Sequence, residues 1–280
     1  SVIPFDFVYC RAQTLEEAVR EYARYAAMGL SALYYAGGSE IITMARAGAI
    51  RPYAVIDVKG IPECRGIGQN EDGLSIGAAC TLNEIKETKL FPLLGLACGR
   101  VADHTNQCRV TLGGNLCGTI IYRETALPLL LCDAKVSLRG PEEERTANIN
   151  DVFYRRMRLL PGELVTRVSV PAWALAARHA HVKKTAHEKI DYPLVNVTAL
   201  WKGDILRAAF SGVCAYPFRS ARIEAILNER GVPAPERARR AVVALPEHPY
   251  GDAEGSGEYR AFVMEHTLCD LLEGWEHGSL

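Results

Sequence analysis

A glycine pair between a short apolar segment and a helix-forming one is the strongest constraint on how this chain folds. It lies within the run Tyr35, Ala36, Gly37, Gly38, Ser39, Glu40 and Ile41. Glycines adopt backbone angles closed to other residues and let an anion approach the amides, and a helix start adds N–H donors and partial positive charge. The run therefore predicts a strand, a diphosphate-binding loop and a helix. A simple turn is the alternative.

A second glycine pair strengthens the first interpretation. It lies in the run Thr111, Leu112, Gly113, Gly114 and Asn115. Neither run fits the GxGxxG pattern of dinucleotide-binding folds or the GxxxxGK[ST] pattern of P-loops. Two glycine loops on different elements predict a long, bent ligand that carries a diphosphate and is held between them.

Length and composition set broad limits. The chain has 280 residues, which favours two domains over one. Hydrophobic residues make up 49% and charged residues 23%, as in ordinary globular proteins. The net charge of −1 implies no general affinity for nucleic acid or anionic membranes. No apolar run approaches the roughly 20 residues that span a bilayer, and no signal-peptide pattern is visible, so we expect a cytoplasmic protein without a membrane span.

The cysteines show no metal-binding pattern. There are nine, an odd number, and they lack CxxC spacing. This argues against a disulfide framework, a zinc ribbon and a ferredoxin-type cluster, so we interpret them as free thiols. A metal site built from Cys98, Cys108, Cys117 and Cys132 is the less favoured alternative. No serine–histidine–acid set stands out, so neither catalytic residues nor metal ligands are predicted.

The order of predicted elements divides the chain near the segment Pro171-Ala172-Trp173. Residues 1–58 show helix, strand, glycine loop, helix and strand, which is typical of a small α/β layer. Residues 59–172 contain short strands and helices and a hairpin. The sequence thus predicts a two-part α/β domain over residues 1–172 and a second domain over residues 173–280.

In the second domain the hydrophobic period changes from that of strands to that of helices. Strands are predicted at residues 179–186, 195–201 and 205–211, and helices at residues 220–230, 235–245 and 258–273. Val195, Val197 and Ala199 alternate with Asn196 and Thr198, which predicts a sheet with one buried face. The expected fold class is α+β, with a three-stranded sheet and three helices in this domain.

Five motifs occur in a characteristic order. They are the two glycine loops, Pro128-Leu129-Leu130, Lys189-Ile190-Asp191-Tyr192-Pro193 and Glu258-Tyr259-Arg260. In this order they resemble the FAD-binding (medium) subunit of the xanthine dehydrogenase and carbon monoxide dehydrogenase family of molybdenum hydroxylases. The resemblance covers essentially the whole chain. It implies that the protein is a flavoprotein subunit of an oxidoreductase.

The resemblance also implies roles for individual residues. Tyr35 through Ile41 would wrap the FAD diphosphate, and Thr111 through Asn115 would hold the diphosphate and ribityl side. Further residues that match flavin-lining positions of the family are Val101, Val165, Glu124, Lys184 and Tyr192. The family has aspartate where this chain has Glu124, and residues 119–123 are bulkier here than in the family. No histidine or cysteine is placed for a covalent link, so FAD is expected to bind non-covalently.

The partners of this chain are likewise implied by the resemblance. A [2Fe-2S] subunit and a molybdopterin-binding subunit would carry the iron–sulfur clusters and the molybdenum cofactor. Electrons from oxidation of a purine, N-heterocycle or aldehyde would pass through the clusters to FAD and then to NAD or another acceptor. The alternative is a stand-alone nucleotide- or small-ligand-binding protein without a redox role.

Overall fold

The computed structural model describes residues 6–37, 51–99, 101, 104–118, 122–185 and 193–280. In chain order, its strands are β1 (Val8–Arg11), β2 (Ala32–Tyr35), β3 (Ala54–Asp57), β4 (Ile67–Asn70), β5 (Gly73–Gly77), β6 (Lys135–Arg139), β7 (Glu144–Asn148), β8 (Phe153–Tyr154), β9 (Arg156–Met157), β10 (Leu164–Pro171), β11 (His179–Thr185), β12 (Pro193–Lys202), β13 (Ile205–Ser211) and β14 (Phe218–Arg219).

The α-helices alternate irregularly with these strands. In chain order they are α1 (Leu15–Ala27), α2 (Leu82–Thr88), α3 (Pro92–Gly99), α4 (His104–Gln107), α5 (Leu112–Leu116), α6 (Ala126–Leu131), α7 (Ile149–Val152), α8 (Ala172–Leu175), α9 (Ala221–Leu227), α10 (Ala234–Val243) and α11 (Gly257–Glu276). Among the described residues, none of the helices has the length and hydropathy that a membrane crossing requires.

The chain divides into two compact units. The first comprises Ser1–Thr119 and Asp133–Leu175, and the second comprises Ile120–Cys132 and Ala176–Leu280. The main division therefore falls three residues after the predicted one. The segment that carries α6 belongs to the second unit, although the sequence analysis assigned it to the first.

A small parallel sheet forms the start of the first unit. Its strand order is β1-β3-β2, with both neighbours of β3 parallel to it. Thr14 is the N-cap of helix α1, and its hydroxyl accepts a hydrogen bond from Glu17 N at 3.1 Å. Gly29 follows the helix with a positive φ of 72°. The apolar side of α1 packs on the sheet through Leu15, Ala18 and Val19. The described part of the predicted α/β layer is present, and the helix predicted after the first glycine loop lies outside the described residues.

The remainder of the first unit is built on an antiparallel sheet. The strand order is β4-β5-β10-β6-β7. The predicted hairpin is present, since β6 and β7 pair directly from Lys135 opposite Asn148 to Arg139 opposite Glu144. Helix α2 starts with a complete capping box, in which Thr81 and Glu84 each bond the other's backbone amide. A bridge between Thr81 and Thr111 places the starts of α2 and α5 side by side.

The second unit contains the predicted sheet with one strand more than expected. Its order is β11-β12-β13-β14, and β14 is the short additional strand. Helices α9, α10 and α11 confirm the three predicted helices. Apolar residues of β12 and β13, including Val197 and Phe210, form a core with Ile223, Met264 and Leu268 of these helices. The α+β fold class is confirmed.

The other face of this sheet is also buried, and here the expectation of one buried face is wrong. Asn196 and Thr198 are almost fully inaccessible. Helix α6, all of whose residues are buried, packs against β12, β13 and β14. Arg207 donates to Leu131 O at 2.7 Å and Arg219 donates to Leu130 O at 2.9 Å, so both arginines bond the carbonyl end of α6. An alternating polar–apolar strand thus faces a helix on each side.

Candidate functional site: the meeting point of two glycine loops

The two predicted glycine loops meet in the first unit. Gly37 lies two residues after the end of β2, and Thr111 is the residue before α5. The Thr111 hydroxyl donates to Gly37 O at 3.5 Å, across a sequence separation of 74 residues. The structure thereby brings together the two loops that the sequence assigned to a single ligand.

Gly37 occupies a position that only glycine suits. Its φ is +108°, in the region that side chains rarely adopt. An added Cβ atom would lie 2.9 Å from Lys59 Cδ and 3.3 Å from both Arg109 O and Thr111 Cγ2. Because Gly37 has no side chain, its backbone lies close to Lys59, Arg109 and Thr111.

The second loop is largely occupied with its own packing. Gly114 N donates to the Thr111 hydroxyl at 3.1 Å, which caps α5. A Cβ atom on Gly113 would lie 3.0 Å from Ala78 Cβ and 3.1 Å from Ala78 O, so this glycine allows α5 to pack closely on Ala78. Leu112 is fully buried and Asn115 is nearly so. Within the described residues, Thr111 bonds this loop to the first loop.

A charged cluster lies beside Gly37. Asp57, only 1% exposed, ends β3 level with Arg11 of β1 and Tyr35 of β2. The Asp57 carboxylate accepts hydrogen bonds from Lys59 Nζ at 2.6 Å, from Lys59 N at 3.0 Å and from the Tyr9 hydroxyl. The Lys59 ammonium also lies 4.3 Å from the centre of the Tyr35 ring. These contacts fix the side chain of Lys59 at the edge of the sheet.

The protonation states in this cluster follow from its hydrogen bonds. Burial raises the pKa of Asp57, but the hydrogen bonds from Lys59 and Tyr9 outweigh burial and bring that pKa below its ordinary value. The hydrogen bond to Asp57 raises the pKa of Tyr9 to about 12. At neutral pH Asp57 is therefore a carboxylate and Tyr9 a neutral phenol.

The residues present fit an anionic diphosphate. Ligands of α/β layers bind at the carboxyl ends of parallel strands, and Gly37 and Lys59 both lie there. A second cation is close, because a Cβ atom on Gly60 would lie 3.3 Å from Arg11 Nη2. A glycine backbone with a positive φ beside a partly exposed cation can accommodate a phosphate group.

The other predicted residues of the first unit lie elsewhere or outside the description. Gly38, Ser39, Glu40 and Ile41 are outside the described residues, as is Tyr192 of the second unit. Val101 is half-buried, and its amide donates to Cys98 O at 3.3 Å. Val165 is buried in β10, where it pairs with Leu138. The proposed contacts of all these residues with flavin stay predictions.

In the second unit, Glu124 is the centre of a buried polar network. Its side chain is 2% exposed. Lys183 Nζ lies 3.3 Å from Glu124 Oε1, and Asn196 Nδ2 donates to Glu124 Oε2 at 3.0 Å. His181 Nε2 lies 4.0 Å from the same oxygen. Lys184, the lysine singled out from the sequence, is exposed and pairs with Val195.

His181 lies among polar side chains of β12. The Thr198 hydroxyl donates to Asn196 Oδ1 at 2.8 Å, and His181 Nδ1 lies 3.2 Å from the Thr198 hydroxyl oxygen. Asn196 Nδ2 lies 3.5 Å from His181 Nε2. These contacts hold the imidazole ring beside Glu124.

The sequence analysis missed four members of this network, namely His181, Lys183, Asn196 and Thr198. A usable signal was present. His181 and Lys183 alternate along one strand, Asn196 and Thr198 alternate along the next, and in the sheet His181 lies opposite Thr198 and Lys183 opposite Asn196. Polar positions that face each other on neighbouring strands indicate a shared polar partner when that side of the sheet is covered.

The cysteines and histidines of the described residues build no further site. All nine cysteines lie in the described ranges, and each is a free thiol. Within the same ranges, no group of three or more His, Cys, Asp or Glu side chains lies where it could hold a metal ion.

Comparison with known proteins agrees with this geometry. A family model described as the FAD binding domain in molybdopterin dehydrogenase matches residues 4–173. The xanthine dehydrogenase FAD-binding subunit of Escherichia coli O157:H7 is 32% identical over 152 residues, which cover 52% of this chain and 51% of that protein. The 6-hydroxypseudooxynicotine dehydrogenase complex subunit alpha of Paenarthrobacter nicotinovorans is 26% identical over 286 residues, covering 96% of this chain and 95% of that protein.

A solved structure shows the same fold. It is a carbon monoxide dehydrogenase from Hydrogenophaga pseudoflava that lacks the Mo-pyranopterin moiety of the molybdenum cofactor. A chain of that structure aligns with a TM-score of 0.84 and 23% identity over 96% of each chain. The resemblance noted from the sequence is confirmed, because the family model spans more than half of the chain. The protein belongs to the family of FAD-binding domains of molybdopterin dehydrogenases.

Proposed function

We propose that this FAD-binding oxidoreductase subunit relays electrons within a molybdenum hydroxylase complex. In the proposal, a molybdopterin-binding subunit oxidises a small substrate such as a purine, an N-heterocycle or an aldehyde. Electrons pass through [2Fe-2S] clusters on a second subunit and leave through this chain to NAD or another acceptor. The names of the relatives support the proposal, since one is a subunit of a dehydrogenase complex and another is an FAD-binding subunit.

The observation that carries the proposal is the contact between Gly37 and Thr111. A chain that closes two glycine loops on each other at the carboxyl edge of a parallel sheet can hold an elongated diphosphate ligand. The missing side chain of Gly37 lets its backbone lie beside Lys59, where a Cβ atom would be 2.9 Å from Lys59 Cδ. The redox chemistry is supplied by FAD when it is bound, and the residues of this chain bind and orient it.

Residues of both loops have assigned parts in the proposal. Backbone amides of the first loop and the Ser39 hydroxyl donate to the diphosphate. The Thr111 hydroxyl holds the second loop against the first by its hydrogen bond to Gly37 O. The same hydroxyl accepts from Gly114 N and so caps the start of α5. Gly113 lets the start of α5 pack closely on Ala78, because it has no side chain to separate them.

The experiment is co-expression of the chain with the open reading frames beside its gene, followed by affinity purification on a tag of this chain. The proposal expects FAD in this chain, with iron and molybdenum recovered on the co-purifying subunits. The chain alone should bind FAD but oxidise no purine or aldehyde. A lone chain that oxidises substrate fully without iron or molybdenum would contradict the proposal. A colourless chain that binds nucleotides without flavin would instead support the stand-alone binding protein.

A further inference from the structure

Lys59 is held by three separate contacts. Its ammonium forms the 2.6 Å ion pair with Asp57 and lies over the Tyr35 ring, and its Cδ atom faces Gly37. A free lysine side chain loses rotamer entropy when it is fixed. Here that entropy is lost in folding, so the cation is already in place for a ligand.

The two partners of this ion pair differ in burial and in the number of their contacts. Asp57 is 1% exposed, whereas 38% of the Lys59 side chain is exposed. The carboxylate also accepts from Tyr9 and from the Lys59 amide, so it has support besides the ammonium. An ammonium carries three N–H donors, and the hydrogen bond to the Asp57 carboxylate uses one of them. The Lys59 side chain lies next to Gly37, since a Cβ atom on Gly37 would be 2.9 Å from Lys59 Cδ.

We propose that Lys59 is a ligand of the FAD diphosphate, positioned by Asp57 and Tyr35 and admitted to the loop by the missing side chain of Gly37. The inference rests on the proposed function, which assigns the diphosphate to these loops. Lysine serves as a compact point charge for phosphate oxygens, and charge-assisted hydrogen bonds of this kind are about twice as strong as neutral ones. Asp57 and Tyr35 act as positioning residues, since they hold the cation rather than the ligand.

The test measures the FAD dissociation constant of the full chain after its flavin has been removed, by titration followed through flavin fluorescence. Lys59→Met should weaken FAD binding about tenfold, the loss expected for one hydrogen bond to a charged group. It should also reduce the dependence of binding on salt concentration, because one cation fewer faces the ligand. Lys135→Met is the matched control. Lys135 is an exposed lysine of the same unit on β6, and its variant should bind FAD as the wild type does.

A double variant separates ligand binding from a purely structural role. Lys59→Met alone leaves Asp57 buried without its ammonium, which could disturb the loop. Asp57→Asn combined with Lys59→Met removes both charges, so no carboxylate is stranded. If Lys59 binds the diphosphate, the double variant stays weakened. If Lys59 only neutralises the charge of the buried Asp57 carboxylate, the double variant regains wild-type FAD affinity, and the inference is wrong.

The remaining outcomes distinguish this inference from the proposed function. Wild-type FAD binding together with unchanged binding by Lys59→Met overturns the role of Lys59 and leaves the FAD site in place. Failure of the wild type to bind FAD overturns both.

Discussion

The Thr111 hydroxyl donates to the carbonyl oxygen of Gly37 at 3.5 Å and so joins loops that are 74 residues apart in the chain. The same hydroxyl oxygen accepts from Gly114 N at 3.1 Å, which makes Thr111 both the cap of α5 and the link to the first loop. One side chain therefore controls the start of a helix and the spacing of the two loops. This dual position makes the contribution of Thr111 to FAD binding separable by experiment from its contribution to stability.

Thr111→Val should lower the free energy of unfolding by about 1 kcal/mol, the usual cost of a lost N-cap, and should also weaken FAD binding. Thr14→Val is the matched control, because Thr14 caps α1 through Glu17 N at the same 3.1 Å distance. It should cost similar stability and leave FAD affinity unchanged. Urea unfolding and FAD titration of both variants decide the matter. Equal FAD affinity in the two variants would show that the link between the loops is not needed.

Gly37→Ala should abolish or strongly weaken FAD binding, since the new Cβ atom would meet Lys59 at 2.9 Å in a backbone with φ of +108°. Gly29→Ala provides the control. Gly29 also has a positive φ, of +72°, but nothing lies within 4 Å of the added atom. The control should lose about 1–2 kcal/mol from backbone strain alone and keep its flavin. Flavin content after purification is the measurement, and flavin retained by Gly37→Ala at the wild-type level would count against the loop.

Glu124→Ala should lower the free energy of unfolding by about 3 kcal/mol, because it leaves the largely buried Lys183 and Asn196 without their shared acceptor. Glu124→Gln retains an acceptor oxygen and should cost less. Adding Lys183→Met to Glu124→Ala should restore part of the loss, since the stranded cation is then gone. Denaturant unfolding of the single and double variants gives the coupling. Strict additivity would mean that Glu124 and Lys183 do not interact.

The free energy of unfolding at acid pH should depend on Glu163. Arg145 donates to both oxygens of this nearly buried carboxylate at 2.8 and 2.9 Å, and these bonds lower the pKa of Glu163. The stabilisation is therefore complete above the ordinary glutamate pKa of 4.5 and is lost as the pH falls through the lower value of the folded state. Unfolding of wild type and Glu163→Gln should differ at about pH 7 and converge as the pH falls below the folded-state pKa of Glu163. A gap that stays constant with pH would refute the assignment.

The sequence predicted the elements of the second unit well, because their periods are strong and local. The strand Ile205–Ser211 has the predicted bounds. Each end of helices α9 to α11 lies within three residues of its predicted position. The fold family was also accessible from the order of the motifs, since the glycine loops and the later segments occur in one characteristic sequence.

The placement of α6 could not be read from the sequence. An all-apolar helix must be buried, but its sequence does not show against which sheet. The same gap explains the error at Asn196 and Thr198. The sequence of an alternating strand is the same whether its polar side faces water or a buried polar network. Here α6 and Glu124 cover the polar side, and the sequence does not show this. The sequence analysis did not single out Lys59 for a similar reason, because its contacts to Tyr35 and Gly37 form only in the folded chain.

The most direct test of the central claim is the identity and stoichiometry of the flavin in the purified full chain. The protein should be yellow, and acid precipitation should release the flavin quantitatively into the supernatant, because the loops hold it without a covalent bond. Chromatography of the supernatant should identify FAD rather than FMN, at one FAD per chain. A colourless protein, or flavin that stays with the precipitate, would contradict the account.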